Sequence, residues 1–506
     1  MSVIFCSLKM ADDKELKEGL KVTTLFGGVQ ILTILVRIVK SKIVAVLLGP
    51  VGIGINGLLD STTQMISGLT SLGLGISAVK EISEAHISNN KERIAQTLTV
   101  LQKLVWLTGF LGLLVCLILS PILSKLTFDS YDYITAFAAI SVTLLFTQLT
   151  AGQKALLQGT RHFNYMAKAS ALGSLIGLIV SLPLYYFLGI KGIVPAIIIF
   201  SLIALILSWF YCRRVHFTPV NMSYREAIYK GKDMVQMGFF ISLQTMLTLL
   251  MAYIIRIFIG KVGGVADVGL FVAGFAIIDT YVGMVFTSMS TEYYPRLASH
   301  SKETNDKFTN TINQQIEITL ILISPLISVF LVFGNWAVIL LYSEKFLPIT
   351  MMMCLAIMSN YFKAPAWSIA FSFLAKGDSR AFFLNELLAT CTNTSIKLLF
   401  YYLWGLAGIG LAFLLSYMIY LVQVSIICHY NYGYNTDLKT LKVFIPQILI
   451  GIICFLLFVF AAPIIRYTTG TLFIVLSVYL SYKELNKKID VVKSVEVRIW
   501  RGLARN

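Results

Sequence analysis

Residues 166–212 read MAKASALGSLIGLIVSLPLYYFLGIKGIVPAIIIFSLIALILSWFYC, and only Lys168 and Lys191 carry charge among them. The stretch divides at Gly189 to Gly192 into two apolar runs, 166–187 and 191–212, each about the 20 residues that a helix needs to cross roughly 30 Å of hydrocarbon. A helix at a protein surface would show a polar face, and neither run has one. Backbone in lipid must satisfy its own hydrogen bonds, which leaves the α-helix. The stretch therefore reads as a membrane hairpin.

The same reading extends in both directions. Of the 506 residues, 57% are apolar and 13% charged, against about 45 to 50% and about 25% in soluble domains. Apolar runs divided at polar, Gly or Pro punctuation give about 14 helices, at 21–48, 53–79, 98–120, 133–150, 166–187, 191–212, 234–259, 267–289, 312–333, 349–374, 382–403, 407–428, 441–461 and 468–483. The expected fold class is an all-α polytopic membrane protein, with no room for a sizeable soluble domain. The first apolar run is too short for a signal-peptide core and is followed by charged residues. The stretch MADDKELKEGLK that begins at Met10 has the character of a natural cytoplasmic start.

A net charge of +16, from 41 Lys and Arg against 25 Asp and Glu, would suggest nucleic acid in a soluble protein. Position gives another explanation. Segments on the side of the N-terminus hold 30 of the cations, and the opposite connections hold 5, Lys125, Lys191, Lys261, Lys345 and Arg466. With an even number of helices, the positive-inside rule puts both termini in the cytoplasm. Residues 1–20 are then a cytoplasmic N-terminal segment, 213–233 a cytoplasmic linker and 484–506 a basic cytoplasmic tail, and no nucleic-acid partner is needed. The seven cysteines are scattered without CxxC, and the five histidines lie in polar connections without HExxH. Neither a disulfide nor a metal site is expected. No GxxxxGK[ST] loop occurs, so no nucleotide cofactor is expected. Transport would draw on an H⁺ or Na⁺ gradient, the membrane potential or the substrate's own gradient.

The chain also repeats itself at a lag of about 215. Leu188 to Ile193 answers Trp404 to Ile409, Gly49 and Gly52 answer Gly260 and Gly263, Gly159 answers Gly377, and Asn90 answers Asn305. A lag of six helices preserves membrane orientation, so the repeats are parallel. Two pseudo-symmetric six-helix lobes are expected, at 21–212 and 234–428, flanking a central cleft, with two appended helices in 429–483.

Charge inside a membrane costs about 2.5 to 3.5 kcal/mol per group, so each instance asks for a reason. The cations inside spans are Arg37, Lys40, Lys42, Arg256, Lys363 and Lys397, and the acids are Asp60, Asp279 and Glu386. Several belong to polar stripes of helical period: Gln30, Thr33, Arg37, Lys40; Asn56, Asp60, Thr63, Ser67, Ser71; and Glu386, Thr390, Asn393, Lys397. Measured from the turn at Gly49, Arg37 and Lys40 lie roughly 18 and 14 Å deep and Asp60 roughly 15 Å deep. Asp60 can reach either cation if the two helices are neighbours, and a plain packing pair remains open. The excess of cations favours an anion, so Arg37, Lys40, Arg256, Lys363 and Lys397 form the candidate anion site. Asp60, Asp279 and Glu386 are the candidate cavity acids or ion-coupling groups.

The ordered pieces over about residues 18–430 resemble the Wzx-type flippases of the multidrug/oligosaccharidyl-lipid/polysaccharide exporter superfamily, in particular the lipid III and O-antigen branch. The resemblance rests on KIVAVLLGPVGIG (42–54), LLQG (156–159), DVGLF (267–271), IIDTY (277–281), YPRLA (294–298), EKF (344–346), YFKA (361–364) and AKGDSR (375–380). It implies export of an undecaprenyl-diphosphate-linked oligosaccharide, on the route to lipopolysaccharide, from the cytoplasmic to the periplasmic leaflet. Alternating access, the bacterial inner membrane and polysaccharide-assembly partners are also implied. Lys363 falls on the family's lysine in helix 10 and Asp279 on its acid in helix 8. Helices 13 and 14 depart from the twelve-helix lipid III branch. The charge sign agrees separately, because a diphosphate out of bulk water calls for Arg or Lys. The competing readings are a multidrug antiporter of the same superfamily, expected to favour embedded carboxylates, and a membrane glycan polymerase, expected to need larger outer loops.

Overall fold

The computed structural model describes the backbone of residues 2–87, 91–215, 220–301 and 305–503, with side chains chiefly between residues 28 and 487. Asn90 and the side chain of Gln30 fall outside the described residues. Among those described there is no strand, and the protein is an all-α polytopic membrane protein.

Eight helical stretches are long and apolar enough to cross a membrane among the described residues. Three of them, Phe163–Cys212, Thr245–Ser299 and Ser379–Tyr432, contain 50, 55 and 54 residues. Fifty residues of straight helix would measure about 75 Å, more than twice the hydrocarbon thickness, so each must fold back. The breaks stand at Gly189, Gly264 and Gly405, and a fourth stands at Gly49. These glycines have φ of 56°, 85°, 58° and 64° with ψ far from the helical value, a region essentially closed to any residue with a Cβ. Side groups eight positions apart meet across three of the breaks. A Cβ at Gly192 would strike the carbonyl oxygen of Leu184, one at Gly408 that of Phe400, and one at Gly260 would touch Val268. On a straight helix such pairs stand about 12 Å apart.

Opened at these breaks, helical limbs occupy all fourteen expected places. The internal repeat is visible in the bends, with one correction. The counterpart of Gly49 is Gly264, not Gly260, since both carry the positive φ of the break, while Gly189 answers Gly405 as expected.

The chain divides into two compact units, Met1–Gly269 and Leu270–Asn506. The first contains α1 (Ser2–Thr70), α2 (Leu74–Ile87), α3 (Lys91–Ile118), α4 (Ser120–Phe128), α5 (Ile134–Gly159), α6 (Phe163–Leu188), α7 (Ile193–Cys212), α8 (Tyr224–Lys230) and much of α9 (Lys232–Tyr281). Its core joins Leu74, Ile82, Leu101, Leu104, Leu145 and Leu157 from α2, α3 and α5. Small residues let the backbones approach, as membrane helices require. A Cβ at Gly152 would press on Val105, and one at Gly177 on Phe200. Gln148 donates to Thr108 across the same seam at 2.8 Å.

The second unit holds α10 (Gly283–Ser299), α11 (Asn305–Leu341), α12 (Thr350–Met358), α13 (Asn360–Lys376), α14 (Ser379–Tyr432), α15 (Leu438–Phe460) and α16 (Pro463–Leu503). Here α11 packs on α12, α13, α15 and α16, and buried polar pairs tie the layers. Thr440 donates to Glu317 at 3.1 Å, Tyr434 to Asn313 at 3.0 Å, and Ser477 to Gln447 at 2.7 Å. Large apolar side chains are left outside instead, Ile118, Phe187 and Leu340 among them, as a lipid solvent demands.

Several helices outrun their apolar runs. α11 starts at Asn305 rather than 312, and α16 runs from Pro463 to Leu503, because apolarity marks the hydrocarbon whereas backbone hydrogen bonding continues beyond it. Arg466, read from sequence as part of an outer connection, is a buried residue of α16 whose guanidinium stacks on Tyr467 and Phe458.

Candidate functional site

The second unit carries a cavity of about 280 Å³ lined by residues of α13 and α14. On α13, Lys363, Trp367, Ala370, Phe371 and Leu374 recur at helical spacing, so one face looks into the cavity. On α14, Phe382 and Glu386 come from the limb before Gly405, and Tyr417 and Tyr420 from the limb after it. The bend dictates that pairing. Residues about equally distant from Gly405 face one another, so Lys397 meets Phe413, Glu386 meets Tyr420 and Asn385 meets Gln423.

Glu386 is held from two sides. Its Oε1 accepts from the Tyr420 hydroxyl at 2.6 Å and from Asn385 Nδ2 at 3.4 Å, while Gln423 donates to Asn385 Oδ1 at 2.9 Å. The Lys363 ammonium lies over rings, 4.9 Å from the centre of Phe286 and 5.6 Å from that of Tyr417. Trp367 stands edge-on to Phe286 and to Phe371, at 5.4 and 4.9 Å between centroids. The result is a small chamber lined by aromatic side chains, an ammonium and a carboxylate.

Higher on the Glu386 stripe, Lys397 is 7% exposed, and its Nζ sits 3.5 Å from the centre of the Phe413 ring. The charges acting on it are Asp279, which attracts, and Lys363, which repels. Lys397 thus lies within electrostatic range of Asp279 and Lys363, and Lys363 and Glu386 line the same chamber.

In the first unit, Lys40 lies over the Phe200 ring at 4.6 Å and feels the charge of Asp60. The Asp60 carboxylate accepts from Gln64 Nε2 at 2.7 Å, one turn along its own helix. Arg256 donates from Nη1 to the carbonyl of Gly57 at 3.3 Å, so Lys40 and Arg256 approach the same limb of α1. Arg37 is exposed on the preceding limb. Sequence reasoning did not select Tyr417, Tyr420, Phe371 and Phe382 as site residues. For the three on α14 the signal lay in the register about Gly405, and for Phe371 in its two-turn spacing from Lys363 on α13.

Curated proteins give no match to the sequence. Among solved structures, the chain is similar to a lipid II flippase, MurJ, in an inward closed conformation, with a TM-score of 0.67 and 13% identity, over 92% of this chain and 99% of that one. It is also similar to an inward-facing multidrug resistance transporter of the MATE family within the MOP superfamily, with a TM-score of 0.62 and 15% identity, over 81% and 96%. A MOP superfamily transporter from Pyrococcus furiosus, described as having a binding pocket of reversed polarity, gives a TM-score of 0.55 and 14% identity over 80% and 95%. At these identities the likeness is one of fold. Residues 43–351, more than half of the chain, match a family model described as Polysaccharide biosynthesis protein, and the chain belongs to that family.

Proposed function

We propose that this protein is a flippase that carries an undecaprenyl-diphosphate-linked oligosaccharide from the cytoplasmic to the periplasmic leaflet of a bacterial inner membrane by alternating access. Both termini are cytoplasmic in this reading, and the lobes are those expected at 21–212 and 234–428. The observation that supports it most is the burial of Lys397 beside Lys363 within membrane helices, with Asp279 as the nearby acid. Two lysines against one nearby acid leave an excess of positive charge within membrane helices, which favours an anion, since an uncompensated charge there is costly. Arg37, Lys40 and Arg256 supply further cations, and Asp60, Asp279 and Glu386 are the acids available to an H⁺ or Na⁺ couple. The O-antigen or related lipopolysaccharide pathway and its assembly proteins are the natural setting.

The test is twofold. Deletion of the gene should trap a lipid-linked glycan on the cytoplasmic face, and the purified protein in liposomes should flip that lipid. Arg256→Ala should abolish flipping at normal expression, while Arg256→Lys should retain part of it, because charge survives and the two-pronged contact does not. Normal flipping by Arg256→Ala, Lys363→Ala and Lys397→Ala alike would defeat the reading. The carboxylate in an aromatic chamber also favours a second reading, an antiporter of organic cations. Export of a cationic dye without any effect on glycan export would select it.

A further inference from the structure

We infer that the chamber between α13 and α14 is a sugar subsite, which seats a neutral pyranose ring of the head group while Lys363 and Lys397 hold the phosphates. The inference rests on the proposed function and assigns a part of its substrate to a place. A phosphate site needs cations and hydrogen-bond donors, and a wall of rings adds nothing to it. A pyranose differs in that its C–H faces are apolar and its hydroxyls project around the rim. The rings of Trp367, Phe371, Phe382 and Tyr417 that line the chamber suit the first, and aromatic groups provide that apolar area without mobile torsions. The rim has matching partners. Among the described residues the hydrogen bonds to Glu386 both fall on Oε1, and an ionised carboxylate has about four acceptor positions, so Oε2 is available to sugar hydroxyls. Tyr420, by donating to Glu386, fixes the direction of that carboxylate.

Size and charge narrow the occupant. A cavity of about 280 Å³ lies at the lower limit of small-molecule sites, about 300 to 1,000 Å³, which suits one ring rather than a whole oligosaccharide. Glu386 repels an acidic sugar. The reach also fits. Glu386 and Lys397 are eleven residues apart on one limb of α14, about 16 Å along the axis, and Lys363 lines the chamber while acting on Lys397. A ring near Glu386 therefore leaves its attached phosphates toward Lys363, with Lys397 farther along the same limb.

The experiment compares two probes on the full-length protein in detergent: undecaprenyl diphosphate, and the same lipid bearing one N-acetylglucosamine. Wild type should bind the sugar-bearing lipid at least about tenfold more tightly, the scale of a charge-assisted hydrogen bond. Trp367→Leu and Glu386→Gln should each bring that ratio close to one, and Tyr420→Phe should lower it part of the way with the ring retained. Lys397→Ala should weaken both probes and keep the ratio. The sugar subsite is refuted if wild type shows no preference, or if the ratio survives in both Trp367→Leu and Glu386→Gln. Failure of wild type to bind either probe, or indifference of both to Lys397→Ala, strikes the proposed function instead and the subsite with it.

Discussion

Replacement of Lys397 by Met tests the anion reading most directly, because the two effects of the change have opposite signs. Met nearly preserves the length of the side chain, so Phe413 and its neighbours keep an apolar partner and no large hole opens. The ammonium is buried, at 7% exposure, and its removal relieves an insertion cost of about 2.5 to 3.5 kcal/mol. Against this stands the lost attraction to the Phe413 ring at 3.5 Å, worth about 2 kcal/mol when desolvated, and to Asp279. Membrane insertion and thermal stability should therefore stay near wild type, within about 1 to 2 kcal/mol. Affinity for a diphosphate lipid should nevertheless fall about 10-fold to 150-fold, the equivalent of 1.5 to 3 kcal/mol for one charge-assisted contact. The assays are fluorescence-detected thermal unfolding of the purified protein and flipping of the lipid-linked glycan in liposomes at matched protein density. Normal stability with normal flipping would refute the reasoning. So would a collapse of stability that accounts for the loss of flipping.

The elbow glycines give a backbone prediction: Gly405→Ala, at φ 58°, should destabilise the protein by about 1 to 3 kcal/mol, read as a lowered unfolding midpoint, while Gly28→Ala, with open space around it, should not. For topology, single cysteines at Ser301 and Asn435 should be shielded from an impermeant thiol reagent in intact cells, and those at Asp129 and Glu344 should react. The reverse pattern would invert the orientation. In the α4–α5 connection, Lys125 donates to Asp129 and the two ions lie 2.9 Å apart; the ammonium holds the Asp129 carboxyl below its usual range. Any stability from that pair is present above the ordinary carboxylate pKa and is lost as pH falls through the lowered one. An NMR titration of Asp129 should shift upward in Lys125→Ala.

The fold was largely legible because lipid forces one solution on the backbone, and uninterrupted apolar runs record each crossing. What those runs could not record is helix that continues into water, as at the start of α11, or polar residues that a helix end buries, as with Arg466. The short α4 and α8 rest on local capping, Asp129 in the left-handed region after one and Ser223 accepting from Glu226 before the other, and they have no apolar period to reveal them. In the site, Lys363, Lys397 and Glu386 stood out because charge is rare within apolar sequence. Trp367, Phe371 and Tyr417 did not, because an aromatic residue in such a background has the same appearance whether it meets lipid, core or ligand. The register about Gly405 separates those cases for Tyr417, and the spacing from Lys363 along α13 does so for Trp367 and Phe371. Asp60 shows the converse: depth placed it within reach of Arg37 or Lys40, and although Lys40 feels its charge, its side-chain hydrogen bond comes from Gln64, one turn away.

The four glycine elbows also bear on how the chain enters the membrane during synthesis. They join helices 1 and 2, 5 and 6, 7 and 8, and 11 and 12, so by parity all four emerge on one face. Within five residues of Gly49 and of Gly405 the sequence carries no charge, and the corresponding windows about Gly189 and Gly264 contain only Lys191, Lys261 and Asp267. A paired helix with such a tip can be released sideways into lipid as one piece, with almost nothing polar to haul across at about 2.5 to 3.5 kcal/mol per charge. With both termini cytoplasmic, as proposed, the charged connections stay on the side where the ribosome stands, and four of the seven pairs come with their own insertion tool, the bend itself.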